Sequence, residues 1–168
     1  TISSVQPYDI YSPCSPVEGE GTDSYGNLIV FSPYLVTSTG QVLVDGGCLE
    51  FENKTQVNNY GSIEVSEMGT IRSYENSTIQ CYSGSLFQVS NGTLYLDYSN
   101  FHISSNFTVE NHSNFGINQS STVYFNDGSL VVISTGSTGS INSSSIFGEG
   151  GKLVINAEIS FSNTQMDL

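Results

Sequence analysis

The sequence has very few positively charged residues and a single alanine, Ala157. Three Lys plus Arg stand against 16 Asp plus Glu, which gives a formal net charge of −13 over 168 residues. Binding to nucleic-acid phosphates needs clustered cations, so we expect no nucleic-acid partner. Helix surfaces are built largely from Ala, Glu, Lys, Arg and Gln, and this composition argues against a mostly helical protein. Ser plus Thr instead make up 42 residues, which favours an all-β fold.

Long hydrophobic runs and metal-binding cysteine pairs are also missing. The longest apolar runs, residues 28–31 and 130–133, fall far short of the roughly 18 residues that a membrane helix needs, so we expect no membrane span. The three cysteines form no Cys-x-x-Cys pair, and no histidine stands at ligand spacing. One disulfide and one thiol is the simplest account. We predict a Cys14–Cys48 disulfide and a buried, unreactive thiol at Cys81.

A short apolar pattern recurs about every 7 residues from Leu28 onward, and three such steps make about 22 residues. Folding the pattern into threes gives three columns. The first column is Leu28, Leu49, Ile71, Leu94 and Phe115; the second is Leu35, Val57, Ile79, Phe101, Val123 and Ile146; the third is Val42, Ile63, Leu86, Phe107, Leu130 and Leu153. Glycine recurs two residues before the first and third columns, and Ser or Thr two residues before the second.

The columns predict a parallel β-solenoid with three short strands per coil and about six coils. Equivalent strands of adjacent coils lie about 4.8 Å apart, so inward residues stack as ladders. Gly permits sharp corners, and Ser or Thr hydroxyls bond corner backbone. We assign residues 26–161 to the solenoid, 1–25 to an N-terminal cap without the repeat, and 162–168 to a C-terminal tail. The spacing places Thr138 in the first column, with Ile141 as an alternative through a bulge.

Segments such as residues 51–65, FENKTQVNNYGSIEV, resemble right-handed single-stranded β-helix proteins of the pectin-lyase-like architecture. In character the sequence is most similar to the Gly- and Asn-rich repeats of secreted adhesins and surface-fibre proteins. The resemblance covers about 80% of the chain and implies a right-handed solenoid. Polygalacturonase-like members carry Asp-Asp, Gly-His-Gly and Arg-Ile-Lys motifs, which are absent here. We therefore expect no enzyme activity, no catalytic residue and no cofactor.

Several polar residues are candidate sites of modification or binding. Seven Asn-x-Ser/Thr sequons favour a secreted glycoprotein, although composition alone predicts about four: Asn53, Asn76, Asn91, Asn106, Asn111, Asn118 and Asn142. Glu75 and Asp97 stand one coil apart at one corner, either as a weak calcium candidate or as a repelling pair in solvent. We expect an ion pair between Arg72 and Glu50 of the adjacent coil. His102 and His112 are expected to be surface residues.

Apolar residues at positions expected to face outward indicate a contact surface, for which we favour another subunit over the cap or a loop: Phe87, Tyr124, Val131, Phe147 and Val154. We also expect open strand edges at the C-terminal end of the rod. These features predict a non-enzymatic, secreted structural glycoprotein, located outside the cell or at its surface, whose copies associate end to end and laterally. The alternative is an adhesion or carbohydrate-binding module of a larger surface protein, with turn tyrosines that stack on sugars: Tyr60, Tyr74, Tyr82, Tyr95 and Tyr98.

Overall fold

The computed structural model describes residues 2–3, 8–11, 28–30, 34–45, 48–51 and 54–168. These residues form 22 short strands and no helix. Numbered β1 to β22 in chain order, the strands visit three parallel sheets in strict rotation. Two of the sheets contain seven strands each, and the first and last strands of such a sheet are six full coils apart. The predicted all-β solenoid of about six coils with three strands per coil is therefore confirmed.

The three sheets are named A, B and C. Sheet A contains β1 (Ile2–Ser3), β4 (Tyr34–Val36), β7 (Gln56–Asn59), β10 (Thr78–Cys81), β13 (Asn100–Ile103), β16 (Thr122–Phe125), β19 (Ser145–Gly148) and β22 (Gln165–Asp167). Sheet B contains β2 (Tyr8–Tyr11), β5 (Gln41–Asp45), β8 (Ser62–Ser66), β11 (Leu86–Ser90), β14 (Asn106–Glu110), β17 (Leu130–Ile133) and β20 (Lys152–Ile155). Sheet C contains β3 (Leu28–Val30), β6 (Cys48–Phe51), β9 (Thr70–Ser73), β12 (Thr93–Asp97), β15 (Asn114–Asn118), β18 (Thr138–Asn142) and β21 (Glu158–Ser162).

Ladders of apolar side chains fill the space between the three sheets. In sheet A, Ile79 pairs with Val57 on one side and Phe101 on the other, and all three are buried. The rings of Phe87, Phe101 and Phe107 meet inside the rod, with centroids 5.2, 5.3 and 5.6 Å apart. Strands of two to five residues are too short to be stable alone, so this continuous interior is what holds them in place.

The register differs from the predicted third column at two strands of sheet B. Phe87 rather than Leu86 pairs with Ile63, and Val131 rather than Leu130 takes the equivalent inward place. Phe87 is 0% exposed and Val131 is 1% exposed, so the prediction that they face outward as contact residues is wrong. β11 and β17 have apolar residues at both odd and even positions. The alternation of apolar residues therefore does not determine which face of these two strands points into the core. A shift of one residue exchanges the two faces.

The first column also shifts by one residue near the C-terminus. Gly139, and not Thr138, stands beside Phe115 in the ladder, and Ile141 follows by normal alternation, paired with Ile117. A Cβ atom at Gly139 would lie 2.2 Å from Cε1 of Phe115. The Phe115 ring therefore fills the space that a side chain would otherwise take in the next coil, and no bulge is needed.

Buried Ser and Thr hydroxyls line the corner between sheets C and A, as predicted. The hydroxyl of Ser121 lies 3.0 Å from Leu96 O and 2.6 Å from Asn118 O, and its oxygen accepts a bond from Ser99 N at 3.1 Å. Equivalent residues of the other coils are also buried: Thr55, Ser77, Ser99 and Ser144. These hydroxyls satisfy backbone groups that the corner turns away from the sheets.

Glycine has two roles at the corner between sheets A and B. At Gly61 a Cβ atom would lie 2.2 Å from the carbonyl oxygens of Gly40 and Thr37, so no side chain fits there. Gly84 and Gly128 instead adopt φ angles of +84° and +77° in turns that face open space, where the left-handed conformation favours glycine. The buried corner positions of those two coils are held by serines, Ser85 and Ser129.

Strands extend into both segments that the sequence analysis set apart from the solenoid. β1 and β2 lie within residues 1–25 and pair with β4 and β5, and the rest of that segment is outside the described residues. β22 lies within residues 162–168 and pairs with β19. The regular coil geometry thus continues almost to Leu168.

Candidate functional site

A row of stacked rings runs along the outer surface of sheet A. His102, Tyr124 and Phe147 hold equivalent outward positions on β13, β16 and β19. The centroids of His102 and Tyr124 lie 4.5 Å apart with 8° between the ring planes, and those of Tyr124 and Phe147 lie 5.5 Å apart with 21°. Partial burial lowers the pKa of His102 below its ordinary value of 6.5, which favours the neutral ring. The row is therefore an uncharged aromatic stripe.

The predicted contact residues Tyr124, Phe147 and Val154 do lie on the outer surface, where they are half-buried. Val154 pairs with Val132 on the outward row of sheet B. The structure thus adds Val132 to the apolar outer surface, whereas the other two predicted contact residues face the core.

The last coil leaves its inward-facing side chains exposed. Ile155, Phe161 and Met166 are 38%, 45% and 43% exposed, whereas Ile133 and Ile141, the ladder neighbours of the first two, are 4% and 3% exposed. An apolar cavity lies among these residues. Among the described strands, β20, β21 and β22 each have one hydrogen-bonded neighbour. This end therefore presents both apolar side chains and free strand edges.

Glu50 and Arg72 form the predicted ion pair between adjacent coils, with 3.3 Å between Arg72 Nη1 and Glu50 Oε1. The Tyr74 hydroxyl donates a hydrogen bond to the other Glu50 oxygen at 2.9 Å. Glu50 is 2% exposed, and a buried carboxylate needs such partners. The cluster is a structural connection between β6 and β9.

The tyrosines proposed to stack on sugars differ in which ring faces are open. Tyr60 and Tyr82 stack on each other, with centroids 4.1 Å apart and 6° between planes, so their facing sides are closed to a sugar. Tyr95 covers Gly116, where a Cβ atom would lie 2.6 Å from Tyr95 Cδ1. Tyr98 is 53% exposed. Carbohydrate binding stays a prediction, and the most exposed of these tyrosines are Tyr98 and Tyr60, the latter 42% exposed.

Cys81 is buried, as predicted, and burial raises the pKa of its thiol to about 12. Asn59 Nδ2 lies 3.7 Å from the sulfur. Cys48 is buried and disulfide-bonded. Its predicted partner Cys14 lies outside the described residues, so the pairing stays a prediction.

Cys81 in the native protein is expected to resist alkylation. The thiolate is the reactive form, and both burial and the raised pKa suppress it. In non-reducing buffer at pH 8, iodoacetamide should label Cys81 at least about a hundredfold more slowly in the native protein than in denaturant. Mass spectrometry of the labelled peptides measures both rates. A Cys81→Ala variant is the control, and equal native and denatured rates would contradict the burial.

Six of the seven sequon asparagines lie in the described part of the chain, at or near corners of the coil. Four are exposed: Asn76, Asn91, Asn106 and Asn111. The other two are half-buried, and Asn142 Nδ2 donates a hydrogen bond to Asn118 Oδ1 at 3.1 Å. Asn53 lies outside the described residues. Attachment of sugar at any of the seven stays a prediction.

The remaining candidate residues are dispersed. Glu75 lies in an exposed turn with a φ of +56°, and Asp97 ends β12. Among the described residues, no group of three or more His, Cys, Asp or Glu side chains is placed to hold a metal ion. His112 is exposed in a turn, as expected for a surface residue.

Comparisons with known proteins add no family or relative to the fold described above. No family model, no curated protein and no solved structure matches the chain. Within the part of the chain that the structure describes, no helix has the length and apolar character of a membrane span. The structure establishes a parallel β-solenoid with an aromatic row on one face and exposed apolar residues in its last coil.

Proposed function

We propose that the protein is a non-enzymatic, secreted structural glycoprotein whose copies build an extracellular fibre, sheath or matrix through end-to-end and lateral contacts. The apolar outer surface formed by Tyr124, Phe147, Val132 and Val154 carries this proposal, and the exposed side chains of the last described coil support its end-to-end part. Covering Ile155, Phe161 and Met166 with another β-layer would remove apolar surface from water and pair three strand edges at once. The occupant in this proposal is a second copy of the chain.

The outer surface supports the lateral part of the proposal. Tyr124, Phe147, Val132 and Val154 add apolar area next to the exposed end. Contacts at one end and along one side join copies in two directions, which is what a sheath or matrix requires. The four exposed sequon asparagines fit a secreted protein.

The end contact is tested with a matched pair of substitutions in β21. Phe161→Glu places a carboxylate on the exposed apolar end, whereas Ser160→Glu places the same charge on the outer surface one residue away. Electron microscopy and light scattering of the purified chain should show filaments or large particles for the unsubstituted protein and for Ser160→Glu. Phe161→Glu should shorten or abolish them.

Two results would overturn the end contact: a strictly monomeric protein at high concentration, or the same assembly for both variants. The glycoprotein part has its own readout. Intact mass of the protein from its native source should exceed the sequence mass by whole hexose and N-acetylhexosamine units, and a mass equal to the sequence mass would contradict it.

A further inference from the structure

Sheet A is uncharged on its outer surface over four successive strands, β7, β10, β13 and β16. The outward residues of segments 56–60, 78–82, 100–104 and 122–126 are Asn, Gln, Ser, Thr, Tyr and one neutral His. The same region carries Glu64 and Glu110 on sheet B and Arg72 and Asp97 on sheet C. Two copies with a net charge of −13 each repel least when they meet through this surface.

Large and small side chains are distributed unequally over the surface. At its N-terminal side, Tyr60 and Tyr82 follow β7 and β10, and the amide Gln80 lies beside them in the middle of β10. At its C-terminal side the large and small side chains exchange places along the strand. His102 lies in the middle of β13, and the small residue Ser104 follows that strand.

This reversal makes the surface complementary to itself. We consider a two-fold axis that lies in the contact plane, perpendicular to the long axis of the rod. This axis pairs the strands of the two copies in opposite coil order, and each residue faces a residue at the same position along its strand. With the axis between β10 and β13, Tyr82 lies opposite Ser104 of the second copy, and His102 lies opposite its Gln80. One coil further out, Tyr60 lies opposite Asn126. Aromatic rings then meet hydroxyl or amide side chains rather than one another.

We propose that sheet A pairs two copies of the chain face to face and antiparallel about this axis. The proposal rests on the lateral contact of the proposed function and assigns it a surface and a geometry. The amides and hydroxyls on this face supply hydrogen bonds that need no charge, and the stacked rings supply rigid apolar area.

The size of the surface predicts a weak pairing. Strand segments of five residues and four to six coils give roughly 300 to 450 Å² per copy, against about 800 Å² per partner in a standard interface. The isolated pair is therefore expected to form between high micromolar and millimolar concentrations. Many such contacts along an assembly would add up to a stable structure.

The test compares two isosteric changes that each add one carboxylate. Asn100→Asp acts at the first position of β13, one of the two strands next to the proposed axis, and Asn114→Asp acts at the equivalent position of β15 on sheet C. Neither asparagine belongs to a sequon. Sedimentation velocity over about 10 µM to 1 mM covers the range that a small interface predicts. To separate lateral pairing from end contacts, each change is combined with Phe161→Glu.

Phe161→Glu alone is expected to give a concentration-dependent dimer. Adding Asn100→Asp should raise the dimer Kd at least about tenfold, since two carboxylates are brought together in the contact. Adding Asn114→Asp should leave the Kd within about twofold. Circular dichroism and thermal unfolding should show both proteins folded.

Three outcomes would overturn the pairing: a strict monomer up to the highest concentration, equal effects of the two changes, or binding of hydroxyethyl cellulose that Asn100→Asp abolishes in a protein that stays monomeric. The last outcome would assign the face to a neutral polysaccharide. Failure of the end contact is recognised separately. Dimers that respond to Asn100→Asp, in a protein whose unsubstituted form makes no filaments, would overturn the fibre proposal and keep the sheet A contact.

Discussion

Val131→Asp is expected to prevent folding of the solenoid or to remove most of its stability. Val131 is 1% exposed and stands in the sheet B ladder between Phe107 and Leu153. A carboxylate at this place would lose its hydration inside the apolar core cluster. We expect a loss of more than about 4 kcal/mol in the free energy of unfolding, measured by urea titration followed by circular dichroism.

The matched control is Val132→Asp, one residue further along β17. Val132 is half-buried on the outer surface, where a carboxylate keeps contact with water. Its loss should stay below about 1 kcal/mol. Similar losses for the two variants, or the larger loss at Val132, would show that the register of β17 is wrong.

The coil period was predictable because most strands alternate clearly. β12 reads Thr-Leu-Tyr-Leu-Asp, and its two leucines, Leu94 and Leu96, are the inward residues that alternation predicts. β17 reads Leu-Val-Val-Ile, which is apolar on both faces. Its inward face is set by the hydrogen-bond register with β14, in which Val131 pairs with Phe107, and this register cannot be read from the spacing of apolar residues.

Corner geometry also explains part of the sequon count. Asn111 adopts a φ of +53°, a conformation that asparagine tolerates better than most residues. Two residues later the buried Ser113 hydroxyl bonds Val89 O at 3.0 Å. Asn142 and Ser144 repeat the spacing, with Ser144 buried at its corner. The solenoid corner therefore favours Asn-x-Ser for structural reasons, and the sequons support glycosylation less strongly than their number suggests.

The aromatic row was only partly predictable. Tyr124 and Phe147 stand 23 residues apart, and this spacing predicts that both lie on the outer surface. His102 completes the spacing, but stacking depends on side-chain geometry, which brings its ring centroid to 4.5 Å from that of Tyr124. The self-complementary arrangement of sheet A was missed because it requires comparing four coils at once. The sequence feature that indicates this arrangement is the position of each aromatic residue along its strand.

Phe87→Ala is expected to cost about 3 to 5 kcal/mol in the free energy of unfolding. Phe87 is 0% exposed and packs against the rings of Phe101 and Phe107, with centroids 5.3 and 5.6 Å away. The rod interior is enclosed by hydrogen-bonded sheets on three sides, so neighbouring backbone has little freedom to close the cavity. Urea unfolding at fixed pH measures the loss.

Gln88→Ala is the matched control for that change. Its side chain lies on the outer surface and donates a hydrogen bond to Glu110, which is worth under about 1 kcal/mol at a partly exposed site. A large gap between the two losses would locate the structural core at Phe87 and exclude it from any contact between copies. Equal small losses would mean that Phe87 faces solvent. In that case Leu86 would point into the rod in place of Phe87, and the two faces of β11 would be exchanged.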